Sequence, residues 1–140
     1  MGDAYSNQRM VLANGESADL MDIGISAVAM YNLPGDESVR HQKGDGNGYM
    51  IQFGDRSVYV SGDTEDTPEM RSLENIDIAF VCMNLPYTMD IERAARAVTE
   101  FQPDIVYPYH HRGQDIEAFK KLVDAAGTDV EVRLKDWYSN

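Results

Sequence analysis

The second half of the chain alternates apolar strands with amphipathic helices, and this alternation restricts the fold more than any other feature. Residues 77–83 (DIAFVCM) are a nearly continuous apolar run, the pattern of a strand buried on both faces of a sheet. Thr88 or Asp90 can cap a helix that runs to about Phe101. Its Ile91, Ala94, Ala95, Val98 and Phe101 share one face at helical spacing, and Pro103 ends it. Residues 104–107 form the next apolar strand. Asp115 can cap a further helix with Ile116, Phe119, Leu122, Val123 and Ala126 as its buried stripe, and Gly127 is placed as its stop. Val130, Val132 and Leu134 alternate with polar residues in a last strand. The order βαβαβ predicts an α/β fold.

The front half reads as a β-meander. Residues 1–10 are polar and read as a leader, with one domain from 11 to 140. Residues 11–13 are expected to be a short strand stopped by Asn14-Gly15, with residues 19–21 as its hairpin partner. Residues 23–30 alternate as a strand should. Residues 32–48 hold four glycines and read as a long loop, and long ordered loops often carry function. Residues 49–53 and 57–61 flank Gly54-Asp55-Arg56 as a hairpin, and 68–73 form a short helix.

Charge removes several function classes. The chain has 24 acidic and 12 basic residues in 140, a net charge of −12. Such a surface repels phosphate backbones and anionic lipid, so no nucleic-acid or membrane partner is expected. No apolar run reaches the roughly 18–20 residues of a membrane span. Residues 1–10 show no secretory signal, and the single cysteine, Cys82, excludes an internal disulfide. These features predict a cytoplasmic protein.

Two sequence positions could carry chemistry, and both follow strand ends. In Ser61-Gly62-Asp63-Thr64 the glycine allows a sharp exit and Asp63 can project from the sheet edge. There it could bind a cation or simply cap the next segment. Glu65 and Asp66 would add to cation capture. In Tyr107-Pro108-Tyr109-His110-His111-Arg112-Gly113, an imidazole could ligate a metal or act as a base. Adjacent residues on an extended chain point opposite ways, so one histidine belongs at the site and the other at its rim. His41 is the remaining histidine and lies in the glycine-rich loop. Residues 44–48 lack the Lys-Ser/Thr ending of a P-loop and read as turns. Cys82 reads as a buried, inert thiol. Tyr87, Tyr107 and Tyr109 could line a pocket or pack as core.

Three segments, GNGYMIQFGDRSVYVSGDTEDTPEM, IDIAFVCMNLPYTMDIERAARAV and PDIVYPYHHRG, together resemble the C-terminal half of metallo-β-lactamase-fold hydrolases, in particular the lactonase-like branch. The resemblance covers about residues 11–138. It implies half of an αββα sandwich: a mixed β-sheet with helices on one face. It also implies that Asp63 and His110 are metal ligands with catalytic roles, in a site for zinc or manganese. A further family histidine would fall where this chain reads Met30-Tyr31-Asn32, and His41 is the candidate substitute. The family motif His-x-His-x-Asp-His does not occur here. The resemblance therefore implies a metal-dependent hydrolase of an ester, lactone or phosphoester whose centre is incomplete in a lone chain. The alternative is a non-catalytic oligomerising or small-ligand-binding remnant. Strands apolar on both sides expect cover on both, which predicts a homodimer through the free sheet face, or a chain supplying the missing half.

Overall fold

A computed structural model describes residues 10–137; most of the proposed leader lies outside the described residues. Its centre is a seven-stranded sheet in the order β1-β2-β3-β4-β5-β6-β7. The strands are β1 Ser17–Leu20, β2 Ile23–Met30, β3 Gly46–Phe53, β4 Arg56–Val60, β5 Ile78–Cys82, β6 Ile105–Tyr109 and β7 Glu131–Val132. The first four run antiparallel in sequence order. From β4 to β7 every pairing is parallel. Three helices make the crossovers: α1 Pro68–Arg71, α2 Ile91–Phe101 and α3 Ile116–Ala125. The meander followed by βαβαβ, the mixed sheet and the α/β class are all present.

Local chemistry accounts for the helix limits. Asp90 accepts a 2.8 Å bond from the Arg93 amide and starts α2, and Asp115 does the same for Ala118 at 3.0 Å in α3. Gln102 closes α2 in the left-handed region, directly before Pro103. Three expectations need correction. Residues 46–48, read as loop and turns, begin β3 and pair with Met30, Ala29 and Val28 of β2. Residues 11–13 form no strand and 19–21 are not their hairpin partner: the first strand is Ser17–Leu20, which turns at Met21-Asp22 and pairs with β2, and the Gly15 and Glu16 bonds to Ala27 end that pairing short of residue 13. In α3 only Phe119 and Val123 are buried, whereas Leu122 is 40% exposed. Among the described residues, that helix packs mainly on α2 and β7, at the end of the helical layer.

The sheet has two unlike faces. On one, Tyr59, Ala79, Val106 and Val132 lie in register and are buried under α2 and α3. Tyr59 meets Phe101 of α2 edge to face at 6.0 Å. On the other face Ile25, Ile51, Val58, Ile78 and Ile105 stand opposite one another across five strands. The next row holds Ala27, Tyr49, Val60, Phe80 and Tyr107. Phe80 stacks on Tyr107 at 5.4 Å, and Trp137 tilts against both. Among the described residues no helix covers this second face; most of its side chains are half-buried, Tyr49 and Phe53 are 38% and 48% exposed, and Ala27 is buried.

Candidate metal centre

Strands β2, β4, β5 and β6 run in the same direction, so their C-terminal ends reach one edge of the sheet. The loops that leave these ends carry Asn32, Asp63, Asn84 and His110. Side chains near the ligand in open α/β sheets lie at this edge for the same topological reason.

The turn that presents Asp63 is fixed from several sides. Gly62 sits at φ +66°, and a Cβ there would lie 2.7 Å from Met30 Sδ and 3.1 Å from the Asn47 carbonyl. Only glycine fits without displacing these neighbours. The Gly62 amide donates to the Tyr109 hydroxyl at 3.1 Å, which ties the turn to β6. Burial pushes the Tyr109 phenol above its usual pKa, so it stays protonated. Thr64 and Glu65 donate to the Tyr31 carbonyl at 3.1 and 2.9 Å, tying the turn to the end of β2.

Asp63 Oδ1 stands 3.6 Å from His110 Nε2, with the two side chains 41% and 44% exposed. His110 has φ +48°, a left-handed conformation uncommon outside glycine. The side-chain nitrogen of Asn84 donates to His110 Nε2 at 2.7 Å. Asn84 is itself buried, and its amide donates to Thr88 Oγ1 at 2.6 Å. The Asn84 side-chain oxygen is buried without a partner among the described residues. Sequence reasoning missed Asn84. Its position directly after the apolar run of β5 was the available signal.

The three nominated ligands do not all meet. Asp63 and His110 come together, but His41 does not join them. Its backbone is bound to Asn32 on both sides, accepting from the Asn32 amide at 2.8 Å and donating to Asn32 Oδ1 at 3.0 Å. Among the described residues, no group of three or more His, Cys, Asp or Glu side chains is placed to hold a metal ion. Glu65 and Asp66 do not serve cation capture either. Arg93 of α2 pairs with both, and Arg71 of α1 pairs with Asp66, so these carboxylates anchor the turn to the helices. Burial alone would raise the Asp66 pKa, but the bonds and charges of Arg71 and Arg93 outweigh it and hold it below the usual carboxylate range. Cys82 is buried, donates to the Thr64 carbonyl at 3.4 Å, and has its pKa raised by burial. Where the resemblance expects a histidine, Met30-Tyr31-Asn32 does border the site, with Met30 against Gly62 and Asn32 against Glu65.

Donor chemistry and spacing fit a divalent cation. A carboxylate oxygen and an imidazole nitrogen suit a borderline metal. Two ligands at about 2.0–2.1 Å in a tetrahedral shell stand about 3.3 Å apart, close to the 3.6 Å seen here. A cation at Nε2 would take over the lone pair that Asn84 occupies.

Residues 3–110 match the family model described as a beta-lactamase superfamily domain. The chain belongs to that superfamily. A metal-dependent hydrolase of the UPF0173 group from Salinibacter ruber is 31% identical over 94 residues, 61% of this chain and 42% of the relative. A Parabacteroides distasonis structure assigned to the metal-dependent hydrolases superposes with a TM-score of 0.79 at 42% identity, covering 89% of this chain and 58% of that one. Igni18, a metallo hydrolase from Ignicoccus hospitalis, gives 0.73 at 28% identity, covering 91% and 57%. The match thus takes in between about two fifths and three fifths of each relative's length.

Proposed function

We propose that this chain carries part of the centre of a metal-dependent hydrolase, with Asp63 and His110 as ligands of zinc or manganese. The observation that supports the reading most is the 3.6 Å approach of Asp63 Oδ1 to His110 Nε2 at the sheet edge where the site loops converge. When bound, the ion would supply Lewis acidity toward an ester, lactone or phosphoester. The chain's own residues prepare that position. Gly62 and Tyr109 aim Asp63, Asn84 orients the His110 ring, and the Asp66–Arg93 contact keeps the turn from drifting.

Two family-type ligands fall short of the three protein ligands of a usual catalytic zinc site. We therefore also propose that the uncovered apolar face packs against a second copy of the chain, which would bury the isoleucine row and close the site from outside. Each such side chain fully buried would contribute roughly 1.5–3 kcal/mol.

Calorimetric titration with Zn²⁺ and Mn²⁺ tests the centre. Saturable binding weakened at least about tenfold in Asp63→Asn and His110→Ala is the expected result. Absence of binding, together with unchanged melting of both variants, would favour the non-catalytic alternative instead. Sedimentation at micromolar concentration tests the assembly. A species of twice 15.7 kDa that reverts to a single chain on Ile78→Glu is expected. A single chain in the wild type would remove the dimer from the proposal.

A further inference from the structure

The acidic chain places two arginines on one aromatic ring beside the Asp63–His110 pair. Arg40 lies 4.6 Å and Arg112 5.7 Å from the centroid of Tyr87. Most of the chain's other described cations are paired: Arg56, Arg71, Arg93, Lys43, Lys120 and Arg133 each contact a carboxylate. Arg40 and Arg112 form no ion pair with any described residue, and both are exposed. We propose that these two guanidiniums form a subsite for an oxyanion, a phosphate or carboxylate group, carried by the substrate. The word substrate rests on the hydrolase reading above; the binding of the anion does not.

Three observations carry the argument. First, the subsite adjoins the metal pair along the chain on both sides. Arg112 follows His110 by two residues, so its Cα is within about 7.6 Å of that of His110. Tyr87 closes a turn onto the Asn84 carbonyl at 2.9 Å, and Asn84 holds His110. Second, the loop bearing Arg40 is fastened to the loop bearing Tyr87. Buried Asn32 donates to the Tyr87 carbonyl at 2.9 Å while its Oδ1 accepts from the His41 amide. The backbone beside Arg40 is therefore held next to Tyr87, where Arg112 also arrives. Third, Arg112 has φ +41°, a conformation that costs a non-glycine residue energy and that recurs at ligand clamps.

The chemistry selects the ligand class. Guanidinium presents a planar fork of donors that matches two oxygens of a phosphate or carboxylate. Attraction to the Tyr87 ring holds both guanidiniums close to one spot, and both residues are exposed to solvent. In a chain of net charge −12 the surroundings disfavour anions generally, so specific capture here requires these two side chains. Glu65, which accepts from Asn32, is paired with Arg93.

The test uses the whole chain stripped of metal with EDTA, titrated with inorganic phosphate and, separately, with acetate, and followed by Tyr and Arg side-chain NMR shifts. Saturable phosphate binding in the millimolar range is expected. Arg40→Gln and Arg112→Gln should each weaken it about 3–10-fold, and the double variant should lose it. Arg112→Lys should recover only part, because the charge returns without the fork. The exposed Arg96→Gln of α2 should have no effect. Stronger phosphate than acetate binding would assign a phosphate-bearing substrate, and the reverse a carboxylate. The proposal is overturned if no saturable shift occurs up to about 20 mM, if the double variant binds like the wild type, or if Arg96→Gln weakens binding equally. Thermal melting of each variant separates loss of binding from loss of fold. Because the metal is absent throughout, failure of the Zn²⁺ titration would leave this result standing, and the converse also holds.

Discussion

Asp66→Asn probes the joint that holds the Asp63 turn to the helical layer. The side chain is 2% exposed and receives two guanidiniums, Arg71 from α1 and Arg93 from α2. The substitution keeps size and shape but removes the charge and one acceptor. Breaking a buried ion pair costs about 3–5 kcal/mol when the remaining charge is trapped. Here the arginines are 32% and 28% exposed and keep Glu100 and Glu65 as partners. Solvent and these partners absorb part of the loss, so about 2–3 kcal/mol at neutral pH is expected. The pH dependence gives an independent check. The folded Asp66 pKa is lowered, so its contribution is complete above the unfolded value near 3.9 and fades as pH falls through the folded value. Denaturant unfolding from pH 7 down to about pH 3 should show a steep acid loss in the wild type and a shallower one in Asp66→Asn. A variant within about 0.5 kcal/mol of wild type at pH 7, or one with the same acid limb, would refute the assignment of Asp66 as the anchor.

Two further outcomes follow from the same contacts. Tyr59→Phe removes a buried hydroxyl that has no partner among the described residues, while keeping the edge contact with Phe101; a gain of about 1 kcal/mol in thermal or denaturant unfolding is expected, and a loss of that size would show that the hydroxyl is satisfied. Gly62→Ala forces a Cβ against Met30 Sδ at 2.7 Å in a left-handed conformation; a loss of about 1–3 kcal/mol is expected, and because Asp63 is the next residue, metal affinity should fall with it, whereas unchanged melting would mean that Met30 yields freely.

Much of the architecture was legible because periodicity reports burial directly. The run 77–83 became β5, the Asp90 and Asp115 caps open α2 and α3, and the hairpin around Gly54 is in place. The expectation failed where neighbours decide. Leu122 has the spacing of a core residue, yet the edge position of α3 leaves it exposed. Residues 11–13 have strand composition, but the edge of β2 is taken by Ser17–Leu20 across the Met21-Asp22 turn. Among the site residues, Asp63 and His110 were visible as polar groups after strand ends. Asn84 carried no comparable mark, since a buried asparagine beside a histidine arises only when β5 and β6 are laid side by side.

By itself the sequence determined the alternation of strand and helix, the turn chemistry at Gly62, and a surplus of acidic charge, because each depends on neighbours a few residues away. The tertiary structure alone decided which charges are spent. Glu65 and Asp66 read as cation ligands until Arg71 and Arg93 fold onto them, whereas Arg40 and Arg112, 72 residues apart in the chain, become one cluster only when the loops from two strand ends close around Tyr87. Pairing in three dimensions is a property of distance between strand ends, which no local pattern encodes.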